Sequence, residues 1–451
     1  MFLKNKEIIL VLGLGKSGFA GAKLAKSKGY EVIALDEAEN ENLSEYKSEL
    51  KSFGIKVLLS FKGGELPHSD LIIVSPGIGP KTNLGKLADK SGKPIISETE
   101  FAAKYCSVPI IAITGTNGKT TTTEFCVHVL KNLQKRVIGA GNIGYPLSDV
   151  LLSNEKYDYI VLEISSFQLH YCKKFRPHIA IILNIESDHI DWHGTFENYL
   201  KDKLKIYMNQ FSSDCLIVNK NLTRFITNYK GSLQTFSQTP EISNFSVSSD
   251  TIYKNKRLFC LNDELGVMGR AQHNLENAMP VIAVCDFLGF DRRQIIKAAG
   301  GFNLGEHRLE IILIKDGIIF VNDSKSTNPL SMMAALEAFG NNKNICLIAG
   351  GLDKDMNFTP ILDYKNVIKK IFIIGKSKTK LENLCSQVFN YCSCLTFQEA
   401  VYSACDYAES GDVVLLSPGF ASMDMFKNYI ERGNIFKSLI IRRYIDEKTE
   451  Q

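Results

Sequence analysis

Ile110-Ile111-Ala112-Ile113-Thr114-Gly115-Thr116-Asn117-Gly118-Lys119-Thr120 is the stretch on which the reading of this 451-residue chain turns. A β-branched apolar run meets a glycine-bearing turn, and the Thr-rich segment beyond it reads as a helix to Leu130. Strand, turn and helix in that order make a phosphate site. The glycines let the backbone approach an anion and the free N–H groups at the helix start attract it. Lys119 adds a charge and Thr120 offers a hydroxyl to Mg²⁺. ATP is the ligand this arrangement predicts. The generic phosphate loop has four residues between its glycines, whereas Gly115 and Gly118 enclose only Thr116 and Asn117, so the match to that pattern is imperfect.

Upstream, Ile8 to Leu12 reads as a buried strand, followed by Gly13-Leu14-Gly15-Lys16-Ser17-Gly18, a helix through Lys28, and a second strand, Glu31 to Leu35, closed by Asp36. Taken alone this G-x-G-x-x-G fingerprint predicts a dinucleotide and an NAD-dependent oxidoreductase. The glycines specify only a turn that brings N–H groups to a diphosphate, however, and a UDP-sugar satisfies the same geometry. Leu71 to Val74 is a further apolar strand, delivering Ser75-Pro76-Gly77 to the sheet's carboxyl edge; a plain turn is the alternative. With Pro109 opening the central strand, the first domain is expected over residues 1–107.

Downstream, Gly139 to Pro146 is another glycine-rich turn with Asn142 as its hydrogen-bonding side chain. Tyr159 to Leu162 forms a strand ending at Glu163, where a carboxylate beside a phosphate loop can reach Mg²⁺. Asp188, His189, Asp191 and His193 crowd the turn after Ile179 to Leu183, as a second metal site, a substrate contact, or caps and surface charge. In the helix beginning near Thr195, Phe196, Leu200, Tyr207 and Phe211 define an apolar stripe that contains Lys203, with Lys201 and Lys205 pointing away. Two readings follow. Lys203 snorkels over core surface, which the pattern alone favours, or it is desolvated, keeps part of its amine neutral and can add CO₂ to become a carbamate ligand. Gly269 to Ala278 opens a helix to Phe287, and Gly300 to Arg308 reads as a hinge closing a central domain over 108–308. In residues 309–451 four strands end in polar, Lys-bearing or Gly-bearing loops, a third open α/β sheet.

With 53 basic and 49 acidic residues the formal charge is +4, too even to argue for nucleic-acid binding. Eleven scattered cysteines, of which Cys392 and Cys394 are the tightest pair, lack the spacing of a zinc site and read as reduced thiols. Neither a secretory leader nor a membrane-length apolar run is found, so a cytoplasmic location is expected.

Together these stretches resemble the Mur ligase family across the whole chain. The matching segments are Gly13–Gly18, Thr114–Thr120, Gly141–Gly144, Leu162–Leu169, Asp188-His189, Asp202–Tyr207, His273-Asn274 with Asn277, Glu306–Arg308, Asn322–Asn328 and Ala421–Tyr429. The resemblance implies an α/β protein of three domains: an N-terminal Rossmann-like domain for a UDP-sugar, a central P-loop-type ATPase domain with a mainly parallel sheet, and a C-terminal Rossmann-like domain for an amino acid. It implies ligation of D-glutamate to UDP-N-acetylmuramoyl-L-alanine through an acyl phosphate, in cytoplasmic peptidoglycan precursor synthesis. A sister ligase adding L-alanine or another amino acid is the near alternative. Carried onto this chain, Gly115, Thr116, Asn117, Gly118, Lys119, Thr120 and Thr121 hold the ATP phosphates, and Asn277, Arg308 and Asp323 position the nucleotide. Thr120 and Glu163 hold one Mg²⁺; His189 and a carbamylated Lys203 hold a second. Lys119, Lys203 and His189 form the catalytic set. Lys16, Ser17, Ser75, Asn142 and His189 face the UDP substrate, and Thr327, Lys354, Ser422 and Tyr429 face D-glutamate. The partners expected are small molecules, with no nucleic acid and no membrane, and the chain is expected to be a monomer.

Overall fold

The computed structural model describes residues 7–153, 155–239, 243–248, 251–269, 272–353 and 356–445. Among the described residues, three separate sheets follow one another along the chain. In the first, five parallel strands lie in the spatial order Lys56–Leu58, Glu31–Leu35, Ile8–Leu12, Leu71–Val74, Ile95–Ser97. Ile9 to Leu12 are wholly buried, as continuous apolar runs are when helices cover both faces of a parallel sheet. Strand order reverses between Ile8–Leu12 and Leu71–Val74, so their carboxyl ends open the crevice where such sheets take ligands.

The second sheet has nine strands, in the order Arg257–Leu261, Thr251–Lys254, Phe245–Ser248, Ser232–Ser237, Cys215–Asn219, Ile179–Ile182, Ile110–Thr114, Tyr159–Glu163, Val137–Gly141. From Phe245–Ser248 to Val137–Gly141 every pairing is parallel; only the edge formed by Thr251–Lys254 and Arg257–Leu261 runs antiparallel. Ile110–Thr114, buried at all five positions, lies between Ile179–Ile182 and Tyr159–Glu163, so the phosphate loop emerges flanked by Glu163 on one side and Asn184 on the other. The helix after the loop runs from Lys119 to Asn132.

These two sheets belong to one compact unit, which divides from the rest between Phe302 and Asn303, inside the glycine-rich segment read as a hinge. Buried Glu98 ties them, its Oε1 accepting the Ser148 N–H at 2.8 Å, and Gln168 donates to Thr99 Oγ1 at 3.1 Å. Gln168 also closes a capping box with Ser165, which fixes the short helix Ser166–His170.

The second unit holds a six-stranded sheet in the order Glu310–Lys315, Ile318–Asn322, Val413–Leu416, Ile345–Gly350, Ile368–Ile374, Tyr391–Ser393, parallel except for its first pair. The four strands expected from the sequence form its interior, and Glu310–Lys315 and Tyr391–Ser393 are added at the edges.

Candidate active site

Gly118 caps the Lys119–Asn132 helix with φ at +82°, a left-handed conformation that glycine adopts without strain. A methyl there would overlap Asn277 Oδ1, which accepts a hydrogen bond from Thr122 Oγ1 at 3.3 Å. Asn277 is thereby seated against the phosphate loop although it lies far along the chain. Lys119 folds back over the turn, donating to the carbonyls of Gly115 and Thr116 at 2.9 Å each. Burial holds its amine below the usual lysine range, against the pull of Glu163 and Asp188. Thr120 and Thr121 occupy the first turn of the same helix. Thr116 Oγ1 lies 2.9 Å from the Tyr199 hydroxyl, and the Asn117 N–H donates to Asn184 Oδ1 at 2.8 Å.

Glu163 is 1% exposed. Its Oε1 accepts from Asn142 Nδ2 at 2.7 Å, while Oε2 is buried with no hydrogen-bond partner among the described residues. A buried carboxylate oxygen left unpaired is costly unless a cation or donor meets it, which is the chemistry of a Mg²⁺ ligand.

Lys203 is 1% exposed, so the snorkelling reading fails. Its amine donates to the Gly115 carbonyl at 2.7 Å and lies 4.8 Å from the Tyr199 ring centroid. Burial, reinforced by the positive charge of Lys119, lowers its pKa to about 7. The helix ends at Leu204, and Phe211 is an exposed residue beyond it, so the stripe drawn through Phe211 does not exist; Tyr199 and Asp202 are the buried companions of Lys203. The structure thus brings Lys119 and Lys203 to one carbonyl, that of Gly115, with Thr114 Oγ1 3.5 Å from the Lys203 amine and Glu163 at the neighbouring strand end.

His189 stands at the rim with φ at +52°, its side chain half exposed and its Nε2 3.4 Å from Asp188 Oδ2. Its ring lies 6.3 Å from that of Tyr199, the neighbour it shares with Lys203. On the first sheet, Ser75 Oγ donates to the Gly13 carbonyl at 2.7 Å, joining the two loops of the crevice, and Lys16 and Ser17 start the adjoining helix.

In the second unit, Asp323 follows the strand Ile318–Asn322, its carboxyl accepting from Ser417 Oγ at 2.7 Å and from the Leu309 N–H at 3.2 Å. Burial raises its pKa to about 7. Arg308 directly precedes Leu309. Thr327 lies on the loop after Asp323, Ser422 on the loop after the adjacent strand Val413–Leu416, and Tyr429 at the start of the last helix. Arg432, fully buried, joins all three segments: it donates to Ser324 Oγ at 3.0 Å, to the Ser324 carbonyl at 2.7 Å and to the Phe420 carbonyl at 3.2 Å. Ser324 Oγ in turn donates to the Tyr429 carbonyl at 2.8 Å. Lys354 lies outside the described residues.

Three family models match the chain in order. The MurD-like N-terminal domain of Mur ligases covers residues 7–97, the Mur ligase middle domain 113–285 and the Mur ligase glutamate ligase domain 307–420. The UDP-N-acetylmuramoylalanine–D-glutamate ligase of Caldicellulosiruptor bescii is 39% identical, with 98% of each chain covered. The chain belongs to the Mur ligase family. The ligase of the same name from Thermoanaerobacter pseudethanolicus is 38% identical over 98% of this chain and 99% of its own. Among solved structures, the UDP-N-acetylmuramate-alanine ligase MurC of Thermotoga maritima shares the fold, with a TM-score of 0.59 at 21% identity over 98% of this chain and all of its own. MurF of Thermotoga maritima in complex with ADP gives 0.58 at 17% identity, over 92% of this chain and 96% of its own.

Mur ligase membership makes the chain an ATP-dependent amide-bond-forming enzyme and removes the oxidoreductase reading of Gly13–Gly18. The structure supplies a physical counterpart. Asp36, the acid that would hold a ribose in a dinucleotide site, accepts the Leu14 N–H at 2.7 Å and the Ala38 N–H at 2.9 Å, so it braces the glycine turn itself. Sequence reasoning gave no site role to Tyr199 or Arg432. Arg432 carries no motif signal, since one arginine in an amphipathic helix reads as solvated.

Proposed function

We propose that this Mur ligase joins D-glutamate to UDP-N-acetylmuramoyl-L-alanine, with ATP giving ADP and phosphate, in peptidoglycan precursor synthesis. The observation that carries the chemistry is the convergence of Lys119 and Lys203 on the Gly115 carbonyl beside the unpaired oxygen of Glu163. Identity of 36–39% to ligases of that name, over nearly the whole chain, supports the substrates.

A carboxylate is too electron-rich for an amine to attack, so the alanyl carboxylate must first accept the γ-phosphoryl group of ATP. Two anions then converge, and the barrier falls where positive charge is fixed in advance. Lys119 and the N–H groups from Gly118 to Thr120 would hold the phosphates, since those of Thr116 and Asn117 are taken by Asn184, while Asn277, Arg308 and Asp323 would position the nucleotide. Thr120 and Glu163 fit one Mg²⁺, and His189 with Lys203 a second; bound there, Mg²⁺ supplies charge neutralisation at the transferring phosphoryl group. A lysine ammonium cannot ligate a cation. The neutral amine of Lys203, available because its pKa is near 7, reacts with CO₂ to give a carbamate and a proton, and the carbamate oxygens can. Asn142, held by Glu163, would meet the UDP substrate together with Lys16, Ser17, Ser75 and His189. The D-glutamate amine, with its carboxylates held by Thr327, Lys354, Ser422 and Tyr429, would then attack the acyl phosphate and expel phosphate. The enzyme would act as a cytoplasmic monomer on these small molecules; no helix among the described residues is long and apolar enough to cross a membrane.

Isotope transfer tests this route. With ¹⁸O in the alanyl carboxylate, one labelled oxygen should appear in the released phosphate; unlabelled phosphate would rule out the acyl phosphate.

A further inference from the structure

One residue before Lys203, the same helix presents Asp202 to a second cluster. Asp202 Oδ2 lies 2.7 Å from His170 Nδ1 and 3.0 Å from His193 Nδ1, and one ligand atom from each of the three lies within 4.8 Å of the others. The residues come from three elements, Ser166–His170, Ile190–His193 and Phe196–Leu204. We propose that His170, His193 and Asp202 form a binding site for one transition-metal cation of the zinc class, separate from the Mg²⁺ chemistry of the phosphate loop.

Four features carry the proposal. Two imidazoles and one carboxylate are a borderline-soft donor set, which suits zinc and its neighbours and not Mg²⁺, an ion that prefers six oxygens. The spacing is close to what is needed. Tetrahedral ligands about 2.0–2.1 Å from an ion stand about 3.3 Å apart, so the pairs at 2.7 and 3.0 Å open by a few tenths of an ångström to admit it, while the two imidazole nitrogens, within 4.8 Å of each other, settle to the same separation. The supporting shell is already built. A cation on His193 Nδ1 replaces the proton that this nitrogen donates to Asp202, and that proton is released; with its remaining proton on Nε2, His193 donates to Ser166 Oγ across the 3.0 Å contact. Lys205 Nζ pairs with the other oxygen of Asp202, Oδ1, at 2.8 Å, which holds that carboxylate to a single ligating oxygen. Finally there is a route in and room for a water ligand. The cluster lines a cavity of about 350 Å³ shared with Lys81, Trp192 and Asn198, while His193 and Asp202 are themselves buried.

The consequence is local. Asp202 and Lys203 are consecutive, one turned to this cluster and the other to the Gly115 carbonyl, so a cation here pins the helical turn that carries Lys203.

The test is metal binding, which does not depend on the ligase reading. Full-length protein is stripped with chelator, then titrated with Zn²⁺ against a chromogenic competitor and with Co²⁺ followed by its visible spectrum. The wild type should take up one tight equivalent of Zn²⁺ that His170→Gln lacks, and its Co²⁺ form should show the intense bands of tetrahedral coordination. Side-chain exposure of 30% at His170 lets that variant fold, as a melting curve would check. Ser166→Ala should retain the site with affinity weakened by about 10–100-fold. Glu163→Gln should bind Zn²⁺ as the wild type does. Equal Zn²⁺ stoichiometry and affinity in wild type and His170→Gln would overturn the proposal, as would loss of the tight equivalent in Glu163→Gln or no tight binding at all.

Discussion

Gly118→Ala is the perturbation whose cost the structure resolves most sharply, because Gly29 provides a matched control. Both glycines have φ near +85°, at +82° and +89°. A methyl at Gly29 would meet nothing within 4 Å among the described residues, whereas at Gly118 it would overlap Asn277 Oδ1. Gly29→Ala should therefore cost only the left-handed strain, about 1–2 kcal/mol, less a few tenths from the stiffer unfolded chain. Gly118→Ala adds displacement of the Asn277 amide by about 1 Å, beyond hydrogen-bonding reach of Thr122. Loss of that bond and the unsatisfied buried amide together cost about 2–3 kcal/mol more. Denaturant unfolding of wild type and both variants measures the difference, and ATP binding by calorimetry reports whether the phosphate loop is deformed with it. Gly118→Ala should be the less stable variant by at least about 2 kcal/mol and alone should bind ATP more weakly. Equal stabilities, or unimpaired ATP binding by Gly118→Ala, would refute the claim that Asn277 seats the loop.

Further predictions concern buried charges. Lys203 has a pKa near 7 in the fold against 10.5 ordinarily, so the unfolded chain binds the extra proton between these values and stability rises with pH across them. In CO₂-free buffer the wild type should gain stability from pH 7 to 9, and Lys203→Met should lose part of that gain, Lys119 supplying the rest with the same sign; parallel curves would contradict it. Asp323 has the opposite sign: its pKa is raised from 3.8 to about 7, the folded state keeps the proton longer, and stability falls as pH rises through that window. Asp323→Asn should make the fall shallower, with the remainder left by Glu276, whose carboxyl burial also raises to about 7; denaturation midpoints at pH 4.5 and 7 measure it. Arg432→Met removes three hydrogen bonds from a fully buried guanidinium and should cost about 3–5 kcal/mol in urea unfolding, with Arg432→Lys restoring only part because an ammonium lacks the planar fork.

The buried strands were legible from local pattern. Ile8–Leu12, Glu31–Leu35 and the run into Gly115 are β-branched and apolar, and each stops where a glycine or an acid breaks the pattern. Lys203 was half legible. Its place on an inward face could be read from spacing, but whether its amine snorkels or lies inside depends on Tyr199 and the Gly115 carbonyl closing over it. Extending the stripe to Phe211 failed because the helix stops at Leu204, before the 3.6-residue period reaches that residue. What sequence could not reveal is what only folding brings together. Asn277 meets Thr122 across 155 positions, and His170 meets Asp202 across 32. The unpaired oxygen of Glu163 is likewise a statement about packing, since the same strand-end acid would be solvated on an exposed edge.

The central claim is tested most directly by phosphate release from ATP, with purified enzyme, Mg²⁺ and UDP-N-acetylmuramoyl-L-alanine, adding D-glutamate, L-glutamate, L-alanine or diaminopimelate in turn. Release that requires both the nucleotide-sugar and D-glutamate, with the glutamyl product formed in equal amount, is the predicted result. Release supported instead by L-alanine or diaminopimelate, or none with any combination, would contradict it.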